Sequence, residues 1–137
     1  MSRKVFEHTI KISSPEMVIS LPEKWNGIKR LKVSMFSYTT ASAGNQFMII
    51  NLTGFNDQNF YYDPTVTQYR KYTKWLPLLP ISGGTQIYDN FGDRWDYESE
   101  TTQDLSNFTI SCLINGAYNA DITTSNPVYI TIIGSQI

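Results

Sequence analysis

Phe6-Glu7-His8-Thr9-Ile10-Lys11-Ile12 and Phe108-Thr109-Ile110-Ser111-Cys112-Leu113-Ile114 are the stretches whose reading decides the fold. In each, apolar residues recur at every second position, which puts them on one face of an extended chain and the polar residues on the other. Both therefore read as half-buried β-strands.

The same alternation recurs outward from these two stretches. Met17 to Leu21 forms a short run closed by Pro22, and residues 23–27 read as a turn. Alternation returns over 28–38, with Leu31, Val33 and Met35 on one face and Lys32, Ser34 and Phe36 on the other; small residues over 39–44 end it. Residues 47–52 are continuously apolar, as expected of a central strand covered on both faces. Residues 55–64 suit a loop or a short edge strand. Over 67–79, Tyr69, Tyr72 and Trp75 or Leu76 recur at three- and four-residue spacing, which a helix limited by Pro77 and Pro80 also explains. Short strands are expected at 85–88 and 95–98, then a polar connection at 100–106, a strand at 108–114, a loop over 117–127 and a last strand at 128–133. Eight or nine short strands without a firm helix predict an all-β fold, an antiparallel β-sandwich forming one domain over 1–137. Eight strands in two sheets is also the jelly-roll number.

Composition supports an ordered domain: 41% of the 137 residues are hydrophobic, 14% aromatic and only 17% charged. Eleven basic residues oppose twelve acidic ones, for a net charge of -1, so the concentrated basic face that nucleic-acid binding requires is not expected. Lys29-Arg30-x-Lys32 and Arg70-Lys71-x-x-Lys74 read as solvated strand faces. With one cysteine, Cys112, an internal disulfide is impossible, and with one histidine, His8, the usual tetrahedral zinc set is out of reach. No catalytic residues, metal site or cofactor are expected. The acidic residues Asp89, Asp93, Asp96, Glu98 and Glu100 lack calcium-loop order and read as a solvated turn. The start of the chain shows no signal-peptide core and no stretch reaches membrane-spanning length, so assembly in a reducing cytoplasm is expected. Without a secretory signal, Asn51-Leu52-Thr53 and Asn107-Phe108-Thr109 are chance sequons. Met1 at the start and a strand running almost to Ile137 lead to the expectation of a whole gene product.

The aromatics carry the strongest functional signal. Trp25, Phe60-Tyr61-Tyr62, Tyr69, Tyr72, Trp75, Trp95 and Tyr97 are too many for one small core, so some must be exposed. Exposed Trp and Tyr mark a subunit interface or a platform for sugar rings, and the interface is the leading expectation. On the sugar alternative, Trp75, Trp95 or Tyr97 stack on a glycan while Asp93, Asp96 or Asn90 bond its hydroxyls.

A family resemblance points the same way. Ile19-Ser20-Leu21-Pro22, then Ile28-Lys29-Arg30-Leu31-Lys32-Val33-Ser34-Met35-Phe36-Ser37-Tyr38, then Phe47-Met48-Ile49-Ile50-Asn51-Leu52-Thr53-Gly54-Phe55 resembles small jelly-roll capsid components of large double-stranded DNA viruses and virophages. Tyr88-Asp89-Asn90-Phe91-Gly92-Asp93-Arg94-Trp95 resembles the hairpin before their final strands, and residues 107–114 their terminal strand. These loose patterns cover about two thirds of the chain. Main-shell proteins of such viruses usually carry two fused jelly rolls, and this chain has room for one. The resemblance therefore implies a minor penton, vertex or cement protein of the virion. Such a protein associates with itself, as a trimer or pentamer, and with other capsid proteins, without an active site or cofactor.

Overall fold

A computed structural model describes residues 4–35, 37–40, 46–53, 59–64, 66–81, 84–88, 95–114, 117–118 and 122–137. These residues contain eleven strands and no helix. Nine strands join in one antiparallel sheet, in the order β1 (Val5–Ile12), β11 (Val128–Ser135), β2 (Glu16–Met35), β9 (Tyr97–Ile114), β4 (Gln46–Leu52), β7 (Lys74–Ile81), β8 (Gly84–Tyr88) and β3 (Ser37–Thr40), with β10 (Ala117–Tyr118) on β9. β5 (Asn59–Asp63) and β6 (Gln68–Tyr72) form a separate hairpin.

Chain continuity forces the large sheet to curl. β3 is the far end of the path that starts at β2, yet Ser37 follows Met35 by only two residues. The sheet must bend round so that its last strand returns to the point where β2 leaves it, and the two walls of the bend enclose the core as a β-sandwich. Fully buried Trp25, Leu31, Met48, Ile110, Ile130 and Ile132 come from four successive strands of the sheet, β11, β2, β9 and β4.

The expected alternation holds on β1, β11 and the second half of β2, where Leu31, Val33 and Met35 are buried. β4 is central, paired with β9 on one side and β7 on the other. Its Met48 and Ile50 belong to the core cluster, while Ile49, which alternation puts on the opposite face, is also buried.

Four sequence expectations change. Ala117–Tyr118, expected to open a loop, pair with β9 as β10. Residues 16–35 form one 20-residue strand, because the ladder with β9 shifts register between Ser20 and Trp25, where Pro22 has no bond to make. Residues 100–106 belong to the 18-residue β9: its polar side chains line the solvent face while Leu105 reaches the core. The three- and four-residue spacing over 67–79 is no helix. Thr73 separates two strands there, and its N–H and hydroxyl bond Ile50 O and Leu52 N–H at 3.1 Å each.

Candidate functional site

The β5–β6 hairpin is short enough that its conformation depends on how its root is tied down. Asn59, its first residue, donates from Nδ2 to Asp96 O at 2.8 Å and to Thr73 O at 3.3 Å. One amide thereby ties the root of the hairpin to the entry of β9 and the start of β7. Asp96 is itself held: its N–H donates to Leu31 O at 2.8 Å and its Oδ2 accepts from Val33 N–H at 2.7 Å, while Oδ1 lies 3.2 Å from Lys74 Nζ. A side-chain carboxylate thus completes the β2 ladder where β9 begins.

Around this root Asn59, Tyr72, Thr73, Lys74, Trp75, Trp95 and Asp96 line an open pocket of about 160 Å³. Trp75 is 46% exposed and Trp95 half-buried. The Trp95 ring carries Lys32 Nζ 5.4 Å and Arg30 Cζ 5.9 Å from its centre, a cation–π arrangement on the outer face of β2. The structure thus brings together three of the six candidate sugar contacts: Trp75, Trp95 and Asp96. Tyr97 is 5% exposed and packs in the core, so its ring is not at the pocket surface. Asp93 lies outside the described residues, as does Asn90. The Asp96 carboxylate is engaged by Val33 and Lys74, which gives it a structural duty. Asn59, Thr73 and Lys74 are contributors that reading the aromatics alone missed; the signal for Asn59 is an amide at the entry to an aromatic alternation.

The hairpin has two unlike faces. Tyr61, Asp63, Arg70 and Tyr72 turn towards the body: Arg70 Nε lies 3.0 Å from Asp63 Oδ2, and the Tyr61 and Tyr72 rings are 6.1 Å apart. Burial pushes the Tyr61 hydroxyl above its ordinary pKa, offset in part by Arg70. The opposite face presents Phe60, Tyr62 and Tyr69, which are 52%, 52% and 69% exposed. Tyr62 and Tyr69 oppose each other across the hairpin with ring centres 5.3 Å apart, edge to face, and Val66 is exposed at its tip.

Among the described residues, no three His, Cys, Asp or Glu side chains cluster as a metal site would require. No helix among them is long and apolar enough to cross a membrane. In comparisons with known proteins, no family model and no curated protein matches the chain.

Proposed function

We propose that this chain is a non-enzymatic structural protein, a single jelly-roll minor capsid component of penton, vertex or cement type, assembled in the host cytoplasm. It acts by self-association and by docking to neighbouring capsid subunits. The observation that supports this reading is the outer face of the β5–β6 hairpin. Phe60, Tyr62 and Tyr69 expose three large rings on a two-stranded projection whose root is fixed by Asn59. Rigid exposed aromatics are the residues around which interfaces concentrate their binding energy. Light scattering of the purified chain tests it against the 15.7 kDa monomer mass. A discrete trimer or pentamer, or a two-fold pair of either, that breaks down into smaller species in the Phe60→Ser, Tyr62→Ser, Tyr69→Ser variant is the expected result. An assembly unchanged by all three substitutions overturns the hairpin as the interface. A wild-type monomer at every concentration that also captures no capsid protein overturns the function.

The second reading is a glycan-binding or receptor-attachment module. It is favoured by the convergence of Trp75 and Trp95 with Asn59 and Asp96 on one open pocket. Titration with a panel of mono- and oligosaccharides, followed by tryptophan fluorescence, tests it. Saturable quenching that disappears in Trp75→Ala is expected; a flat response across the panel overturns it.

A further inference from the structure

β1 is the terminal strand of the large sheet: β11 pairs along one side, and among the described residues nothing pairs along the other. Its eight residues match β11 without a register break from Val5 opposite Ser135 to Ile12 opposite Val128. It contains no proline and no bulge, two devices that blunt most natural sheet edges.

The phase of the ladder fixes which backbone groups face outward. Gln136 N–H donates to Lys4 O at 3.0 Å, so 4 and 136 are a hydrogen-bonded pair. Bonded and non-bonded pairs alternate in an antiparallel ladder, so Phe6, His8, Ile10 and Ile12 spend their N–H and C=O groups on β11. Val5, Glu7, Thr9 and Lys11 direct theirs to the open edge. The side chains of these same four residues are exposed.

We infer that β1 is a pairing edge for a second copy of this chain, joined antiparallel about a two-fold axis at Thr9. This register sets Thr9 against Thr9 of the other copy and, on either side of the axis, Glu7 of each copy against Lys11 of the other. All three are hydrogen-bonded pairs, and the Cα atoms within such a pair stand about 5.5 Å apart. Both charge pairs are thus of opposite sign, and neither Glu7 nor Lys11 has an ion pair within the chain among the described residues. Slipping two residues one way sets Glu7 against Thr9, and the other way Lys11 against Thr9, losing both charge pairs; slipping four sets Glu7 against Glu7 or Lys11 against Lys11, so charge selects the register. A lysine on an exposed edge ordinarily repels other strands. Here Glu7, four residues earlier, turns it into a selector for an identical edge. On the same outer face, beside Lys11 and one strand in, Tyr129 is 51% exposed, and Val5 is 57% exposed at the end of the strand, so apolar surface flanks the pairing. The contact is self-complementary, as a two-fold interface requires.

The inference concerns a different surface from the hairpin and is tested apart from it, in the Phe60→Ser, Tyr62→Ser, Tyr69→Ser background. Sedimentation equilibrium up to about 1 mM chain spans the weakest specific affinities. The background variant is expected at twice 15.7 kDa. Glu7→Lys alone, or Lys11→Glu alone, replaces two attractions by two like-charge contacts and weakens the dimer about tenfold or more. Glu7→Lys with Lys11→Glu restores it. Thr9→Pro removes an N–H that points away from β11, so it abolishes the dimer while far-UV circular dichroism stays that of the parent. A monomer in the background variant, or a dimer that the double charge swap does not restore, overturns the pairing. A trimer or pentamer of the wild type alongside a monomeric background variant overturns the pairing and leaves the hairpin reading intact. A charge-dependent dimer in both does the opposite.

Discussion

The Trp25 indole closes directly on the backbone of Gly134. A methyl carbon placed on Gly134 would stand 2.8 Å from Trp25 Cε3, 3.0 Å from Cζ3 and 3.1 Å from Ile28 Cδ1. Gly134 lies on β11 between Phe6 of β1 and Leu31 of β2, and Trp25 stacks on Phe6 with ring centres 5.4 Å apart and on His8 at 5.8 Å. The glycine is the gap in the sheet into which the largest buried side chain fits.

Gly134→Ala is therefore an overpacking substitution. The obstructing atoms belong to a fully buried ring held over β1 and β11 by its stacking on Phe6 and His8. A loss of about 1–3 kcal/mol is expected. It should read as a lower urea midpoint at unchanged slope, since the surface exposed on unfolding stays the same. A midpoint equal to wild type would mean that the ring yields.

Asp96 and Lys74 are expected to matter more to stability than their sequence context implies. Their side chains are only 10% and 17% exposed, and Asp96 also accepts the Val33 N–H at 2.7 Å. Asp96→Ala strands that N–H and leaves a largely buried ammonium without its carboxylate, a loss of about 2–4 kcal/mol. Asp96→Asn keeps an acceptor for Val33 and loses only the charge, so it is expected to cost less, about 1–2 kcal/mol. Chemical denaturation of the two variants side by side checks the order. Equal losses would place the whole effect in the ion pair.

The all-β class and the buried faces of β1 and β11 were legible because each of these strands has one neighbouring wall to satisfy, and period-two alternation records that wall directly; β4, buried on both faces, showed instead as a continuous apolar run. The length of β2 and β9 was not legible. Pro22 and the polar run over 100–106 resemble breaks, but the β2–β9 ladder shifts register near both, so proline needs no bond and polar residues need only one wet face. The Tyr69, Tyr72 and Trp75 spacing misled because Tyr69 and Tyr72 lie on opposite faces of one strand, and Thr73 separates that strand from Trp75 on the next. Of the candidate sugar contacts, exposure of Trp75 followed from the surplus of aromatics. Tyr97 is buried instead because alternation along β9 puts it in phase with Leu31, its partner on β2. Sequence spacing alone cannot show that phase when a register shift lies between.

Asp104 gives a pH-dependent contribution of known sign. Its carboxylate is held below the ordinary range first by the Gly27 N–H, at 2.9 Å, and then by Lys24, whose Nζ is 3.4 Å away. Gly27 has φ +64, so this bond secures the irregularity of β2 between Trp25 and Ile28, where the backbone favours glycine. A carboxyl whose folded pKa is depressed stabilises the fold above its unfolded value of 3.8 and loses that contribution as pH falls through the lower folded value. The stability difference between wild type and Asp104→Ala is therefore expected at pH 7 and should shrink in acid. A difference that persists unchanged in acid would assign it to local packing at this irregularity of β2 and not to the charge.

Cys112 carries the opposite dependence. It is fully buried on β9 in the core cluster, and desolvation pushes its thiol from 9.0 to about 12. An acid whose pKa is raised on folding contributes stability in full below the unfolded value, and that contribution is lost as pH rises from 9.0 towards 12, because the unfolded chain releases its proton first. Stability is expected to fall above pH 9 in the wild type and to fall less steeply in Cys112→Ala, although other groups that titrate there contribute to both slopes. At neutral pH the thiol should react with a disulfide reagent only when the sheet opens, so its rate should rise steeply with urea towards that of the unfolded chain. Reaction at the free-thiol rate without denaturant would show that β9 opens readily beside β4, and would contradict the burial on which both expectations rest.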